Sequence, residues 1–372
     1  MPDDIVNIDR IKYHSMRLDL IQFATNTAMM LSMMLIPLFA EKELGANHTE
    51  IGVIVALYGL CLFVSSYLFS KASDAWNIKR LLIAGIALSA VAYLLQVFSC
   101  DPISLGLARG FLGICIGIYP AALIMHVHGM NRSIGKFISF GSLGWAAGFI
   151  GAGIIGVTGG YDLIFAASSV LMLLSAITAL TLPEVKIRRM KVRYLSLDTV
   201  RVNWAIYLAF MLRHTGATAV WVIFPLYLVS IGADELSIGI IYAINPLLQF
   251  FMMRRLDGRD MVALVRCGYL ISVIAFLSFI PPPVFYYTIP GMILIAIAWS
   301  FLYVGSTELL LRTNQDKAAA AGMITSVVSL SLVAGSLLGG VLSHNFGFTA
   351  VFLVGAGLSL IGFLISVRYV EN

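Results

Sequence analysis

Arg109, Arg213, His214 and Glu308 are ionisable residues set inside apolar runs, reading LGLARGFLG, LAFMLRHTG and VGSTELLLR. Asn26, Asn245 and Gln249 add amides in similar surroundings. An ionised side chain in hydrocarbon costs roughly 2.5–3.5 kcal/mol at the centre of a bilayer, so such groups face a wet cavity or one another. Two kinds of chemistry fit. Arginines suit an anionic group on a bound solute, or lower the pKa of a nearby carboxylate. A carboxylate or imidazole inside a membrane relays protons. The plainer alternative is a buried polar cross-link between helices. Asp19 and Glu308 are the candidate proton-binding carboxylates, although Arg17 stands beside the first and Arg312 lies one helical turn from the second. His126 and His128 fit an interface better than a metal. Trp145, Trp221, Trp299 and Tyr303 suit either cavity walls or lipid contacts. There is no HExxH, no aspartate cluster and no Ser-His-Asp pattern, and the four cysteines are scattered without metal spacing. The residues therefore argue against an enzyme acting on membrane lipids.

The elements that must hold these groups are apolar throughout. Hydrophobic residues make up 60% of the chain and charged ones 12%, against about 25% charged in soluble domains. Runs of the ~20 residues needed to cross a bilayer recur along the whole length. They must be helical, because backbone groups in hydrocarbon are satisfied only within the segment. Twelve spans are expected: 18–40, 49–70, 80–98, 103–127, 136–157, 161–182, 203–229, 236–253, 262–280, 284–311, 318–342 and 348–367. The N-terminal MPDDIVNIDRIKYHSM mixes acids with bases and lacks a cleavable apolar core, so the first span is expected to direct its own insertion.

Basic residues set the orientation. The N-terminus, the C-terminus and alternate turns carry 21 of the 24 Lys and Arg, the opposite turns carry only Lys42, and Arg109 and Arg213 lie within spans. Both termini are expected in the cytoplasm, in a multi-pass protein of the cell membrane. The net charge of +5 reflects this topology, so no nucleic-acid partner is expected.

One segment occurs twice. GANHTEIGVIVALYGL (45–60) and GADELSIGIIYAINPL (232–247) share seven of sixteen positions without a gap, and each follows Pro-Leu-aromatic, at Pro37 and Pro225. Two equivalent halves follow, and repeats of this size in a membrane chain point to a transporter. Aligning the prolines sets His214 opposite Asn26.

Several motifs resemble those of the major facilitator superfamily. After the second span, Asp74, Lys79 and Arg80 fit its cytoplasmic signature, with Ser70 and Asn77 in place of two glycines; Asp257, Gly258 and Arg259 fit after the eighth. Arg109 and Gly113 match the pattern of the fourth span. Gly144, Gly148 and Gly153 resemble the glycine-rich signature of the antiporter branch, with Phe149 where that branch has Pro, and Gly335, Gly339 and Gly340 form a related run.

The resemblance implies an all-α membrane protein of twelve transmembrane helices in two pseudo-symmetric six-helix bundles. A cytoplasmic N-terminus (1–17) precedes the first bundle (18–183), and a basic linker (184–202) leads to the second (203–372). It also implies a substrate or ion path through spans 1, 4, 7 and 8, holding Asn26, Arg109, Arg213, His214, Asn245 and Gln249, to which Glu308 of span 10 is added as a pathway candidate. Asp74, Lys79, Arg80 and Asp257 would form a cytoplasmic gate. Gly113, Gly144, Gly148, Gly153, Gly335 and Gly339 would pack helices closely. The function implied is secondary transport of a small organic solute by alternating access, driven by protons, with export favoured over import or facilitated diffusion. No phosphate-binding loop is present, so no cofactor is expected and an ion gradient supplies the energy. A monomer is expected.

Overall fold

The structure is a computed structural model that describes residues 2–72, 77–130, 134–184, 201–256, 258–280, 283–314 and 317–370. Among them are α1 (Pro2–Met33), α2 (Ile36–Lys42), α3 (His48–Ala72), α4 (Ile78–Leu95), α5 (Pro102–Gly129) and α6 (Ile134–Leu180). Then come α7 (Trp204–Ser230), α8 (Glu235–Met252), α9 (Met261–Leu277), α10 (Ile289–Thr313) and α11 (Lys317–Tyr369). Nine helical segments among the described residues are long and apolar enough to cross a membrane, counting α1 and α2 as one, and α9 is a shorter apolar helix.

Local chemistry explains the breaks. α1 stops at Met33 and α2 restarts at Ile36, because Pro37 has no N–H to give to the carbonyl one turn back. Pro225, its counterpart, sits inside α7 without ending it. α6 and α11 each turn within a single residue, at Gly160 (φ 75°, ψ −180°) and Gly347 (φ 77°, ψ 175°). That conformation is essentially open only to glycine. The two turns stand 187 positions apart (160 to 347), as do the two copies of the repeated segment (45 to 232).

The repeat is a turn, a cap and a crossing. Gly45 (φ 67°) and Gly232 (φ 90°) supply the left-handed turn. Two residues on, Asn47 and Asp234 cap α3 and α8. Asn47 Oδ1 accepts the Glu50 N–H at 3.0 Å while Glu50 Oε2 accepts the Asn47 N–H at 2.8 Å, and Asp234 Oδ1 accepts the Ser237 N–H at 2.8 Å. The Ile-Gly pair then brings Gly52 and Gly239 to helix crossings. A methyl on Gly52 would lie 3.1 Å from the Gly340 Cα and also meet the Ser336 carbonyl; one on Gly239 would lie 3.2 Å from the Gly153 Cα and meet the Phe149 carbonyl.

These two crossings exchange under the repeat. α1 packs on α6, α3 on α5, and α4 on both α5 and α6; α7 packs on α11, α9 on α10 and α11, and α8 on α10. The halves meet mainly through α3 with α11 and α6 with α8. At the same end, Lys42 Nζ and Glu235 Oε1 lie 2.9 Å apart. On the outside, the second arm of α6 exposes Leu163, Val170, Leu173, Ile177 and Leu180, and the second arm of α11 exposes Leu353, Leu360, Leu364 and Val367. Apolar stripes this continuous suit a bilayer and not water.

Candidate functional site

Between the halves lies a cavity of about 250 Å³, walled by α1, α3, α6, α7, α8 and α11, with Pro37 of α2. The walls come from equivalent positions. Val55 and Tyr242, Trp145 and Leu332, and Phe149 and Ser336 are wall pairs 187 residues apart (55 to 242, 145 to 332, 149 to 336). Met30 and Thr218, and Met33 and Trp221, are wall pairs 188 apart (30 to 218, 33 to 221). A cavity lined in this way sits on the axis relating the halves.

Its chemistry is unequal. The first half supplies methionines and the rings of Trp145 and Phe149; the second supplies His214, Thr218, Asn245, Gln249 and Ser336 beside Trp221 and Tyr242. Rings from the two halves touch: Phe149 and Tyr242 have centroids 5.3 Å apart. Thr218 and Ser336 spend their hydroxyls on backbone carbonyls, donating to Ser331 O at 2.7 Å and Leu332 O at 2.6 Å. The Asn245 and Gln249 amides are hydrogen-bonded to each other. His214 is tilted against Trp299 with centroids 4.9 Å apart, and its buried Nδ1 has no hydrogen-bond partner among the described residues.

The expected pathway residues divide. His214, Asn245 and Gln249 line the cavity. Asn26 stands behind it, its Oδ1 accepting the Trp145 indole N–H at 2.7 Å and so fixing that ring in the wall. Arg109 and Arg213 lie outside the wall and are spent within their own halves. Arg109 is 1% exposed; it donates to Ser32 Oγ at 3.4 Å and Gln96 Oε1 at 3.5 Å and covers the Tyr58 ring at 4.4 Å. Arg213 is 2% exposed; its Nε donates to Ser272 Oγ at 2.9 Å, and its guanidinium lies 5.8 Å from the Trp299 ring centre. Both are cross-links between helices, and neither has a carboxylate partner among the described residues. Glu308 is not in the wall either; it pairs with Arg312 at 3.0 Å, with 41% of its side chain exposed. Spans 1, 4, 7 and 8 are expected to line the path; among the described residues of this cavity's wall, α5, the fourth span, supplies none, while α3, α6 and α11 join α1, α7 and α8.

Of the expected gate, Asp74 and Asp257 lie outside the described residues. Lys79 and Arg80 stand in the first turn of α4, capped by Asn77, whose Oδ1 accepts the Arg80 N–H at 3.1 Å. The glycines all meet neighbouring helices. Gly113 lies against α3 at Tyr58; Gly144 and Gly148 lie against α1, at Phe23 and Thr27; Gly335 and Gly339 lie against α7, at Thr215 and Ala219. Gly148 and Gly335 abut Thr27 and Thr215, another pair of repeat equivalents. Gly153 instead crosses to the other half at Glu235. Sequence reasoning missed Tyr242, the Met30/Met33/Met34 face and the Lys42–Glu235 bridge. The signal was present for Gly52 and Gly239, which stand inside the repeated segment itself.

No curated protein matches the sequence. Among solved structures, the nucleoside transporter NupG superposes with a TM-score of 0.82 at 14% identity, over 96% of this chain and 99% of its own. The human organic anion transporter MFSD10 (TETRAN) gives 0.71 at 15%, over 96% and 99%. A bacterial homolog of the human lysosomal transporter Spinster gives 0.75 at 13%, over 96% and 95%. The model of the Major Facilitator Superfamily matches residues 18–313. With an all-helical membrane fold in two equivalent halves around an axial cavity, the chain belongs to the Major Facilitator Superfamily and is a transporter, not an enzyme.

Proposed function

We propose that the chain moves a small organic solute across the cell membrane by alternating access, with the axial cavity as the binding site. Counting the arms of α6 and α11 separately, and α9 as a crossing, gives twelve spans. They fall into bundles 18–183 and 203–372, with both termini in the cytoplasm on the distribution of basic residues. The observation that carries the reading is the exchange of closures. Gly52 on Gly340 and Gly239 on Gly153 are one contact made twice about the axis, so rocking one half on the other releases both together. In this orientation the sealed end is the outer one.

The sequence favours a proton drive and export. Glu308 is solvated and paired, so the proton path is assigned to His214, the wall group whose ordinary pKa is nearest physiological pH. His214→Gln is then expected to lose stimulation by a pH gradient in reconstituted vesicles while retaining solute exchange. Equal stimulation in the variant removes His214 from the path.

The test of alternating access uses a chain freed of its four cysteines and carrying Ser336→Cys in the wall. An impermeant maleimide is expected to label it from the cytoplasmic side and, in the fraction facing outward, from the other. Bridging Lys42→Cys to Glu235→Cys with a cleavable bifunctional reagent should abolish outer labelling and transport, and cleavage should restore both. Transport that persists with the bridge intact would sink the proposal.

A further inference from the structure

We infer that the solute is uncharged and flat, with a hydrogen-bonding edge that sets one donor beside one acceptor, as in a lactam or a carboxamide. The inference rests on the axial cavity being the transport site. Three features of the wall lead to it. The first is charge: among the described residues no Lys, Arg, Asp or Glu is in the wall, and the arginine next to His214 points into its own half and is spent on Ser272 and aromatic faces. An ion entering so apolar a chamber would lose its hydration with no permanent counter-charge in return. The expectation that Arg109 and Arg213 receive an anionic solute fails on the same geometry.

The second is shape. Trp145 and Phe149 from one half and Trp221 and Tyr242 from the other line the cavity, with Tyr242 edge-on to Phe149 (5.3 Å between centroids) and tilted against Trp221 (5.2 Å). Flat aromatic walls favour a planar ring, which stacks at offset or tilted angles. The methionine, valine, leucine and proline side chains of the lining make no hydrogen bonds, and the hydroxyls of Thr218 and Ser336 are already spent on backbone carbonyls.

The third is the Asn245–Gln249 pair. The two amides stand one helical turn apart on α8 and are hydrogen-bonded to each other. Whichever way the two groups are turned, one N–H₂ and one carbonyl oxygen are left over on the same pair. That remainder is the complement of an edge carrying N–H next to C=O. His214 offers a further site, since its ring is tilted against Trp299 and its Nδ1 has no hydrogen-bond partner among the described residues.

The test is thermal unfolding of the full purified chain with four probes of similar outline: benzamide, 2-pyridone, benzoate and benzamidine. The neutral pair is expected to raise Tm by roughly 2 °C near saturation, and the anion and the cation to leave it unchanged. Asn245→Leu and Gln249→Leu should each remove the shift without lowering the Tm of the free protein. Asn245→Asp places a carboxylate in the wall and should transfer the preference to benzamidine. A shift with benzoate alone, lost in Trp145→Ala, overturns the substrate class while leaving the cavity as the site. A shift with benzamide that no wall variant alters overturns the cavity reading itself. No shift with either neutral probe also overturns the class.

Discussion

Arg213 and His214 are adjacent in sequence, yet one is a strut and the other faces the cavity. Successive positions on a helix point about 100° apart, so only one of two neighbours can face a given wall. If Arg213 is a strut, its role is packing. Among the described residues its guanidinium has one hydroxyl and aromatic faces as partners and leaves Nη2 without a hydrogen bond. Arg213→Met keeps the volume and removes a buried charge, and such replacements are often neutral or stabilising. Its Tm is expected to hold or rise, with solute affinity unchanged. Arg213→Ala leaves a void instead and should cost about 2–4 kcal/mol. A tenfold loss of affinity in Arg213→Met at unchanged Tm would return the residue to the binding site. The sequence marked Arg213, His214, Asn245 and Gln249 as out of place in an apolar run, but not where they pointed. In water a polar face and an apolar face tell a helix which way to turn. Here the lipid face and the core face are equally apolar, so composition is silent on rotation.

At the scale of elements the sequence was far more legible, because turns and caps are local. The shared Gly-Ala and Ile-Gly of the repeat became a left-handed turn, a cap and a helix crossing in each half. The tight turns at Gly160 and Gly347 were expected only as loops between spans; their single-residue form depends on a backbone conformation that no side-chain pattern announces. Gly160→Ala and Gly347→Ala should each cost about 1–3 kcal/mol, read as a lower Tm, whereas Gly357→Ala, where an added methyl meets nothing within 4 Å, should cost little. The cap of α8 carries a pH dependence. The Ser237 side chain and N–H hold the Asp234 carboxylate below its ordinary pKa. A carboxylate with a lowered folded pKa stabilises above its unfolded pKa, and that contribution is lost as pH falls through the folded value. The Tm difference between the native chain and Asp234→Ala is therefore expected at pH 7 and should close on acidification below about pH 4. A difference that grows in acid would mean that the carboxylate is not the cap.

For the whole molecule the question is what holds shut the end proposed to be the outer one. The Lys42–Glu235 ion pair and the two glycine crossings meet there, and their magnitudes differ. Lys42 and Glu235 are 2.9 Å apart, with 40% and 20% of their side chains exposed. A bridge so solvated contributes under about 1 kcal/mol and weakens with salt. The crossings bring backbone against backbone, where packing is the main attraction between helices in lipid. A side chain added there cannot be accommodated by turning a rotamer, because the atoms it meets belong to the main chain of Ser336 and Gly340. Glu235→Gln should therefore raise outer labelling of a Ser336→Cys reporter by only a few-fold, within the worth of the bridge. Gly52→Val should hold the outer end open and make the reporter react from that side almost completely. Since the repeat makes the contact twice, Gly239→Val should do the same through the other crossing. If the two valines act unequally, with one opening the outer end and the other leaving it sealed, the halves do not move as equivalents, and a rocking motion about the axis is ruled out.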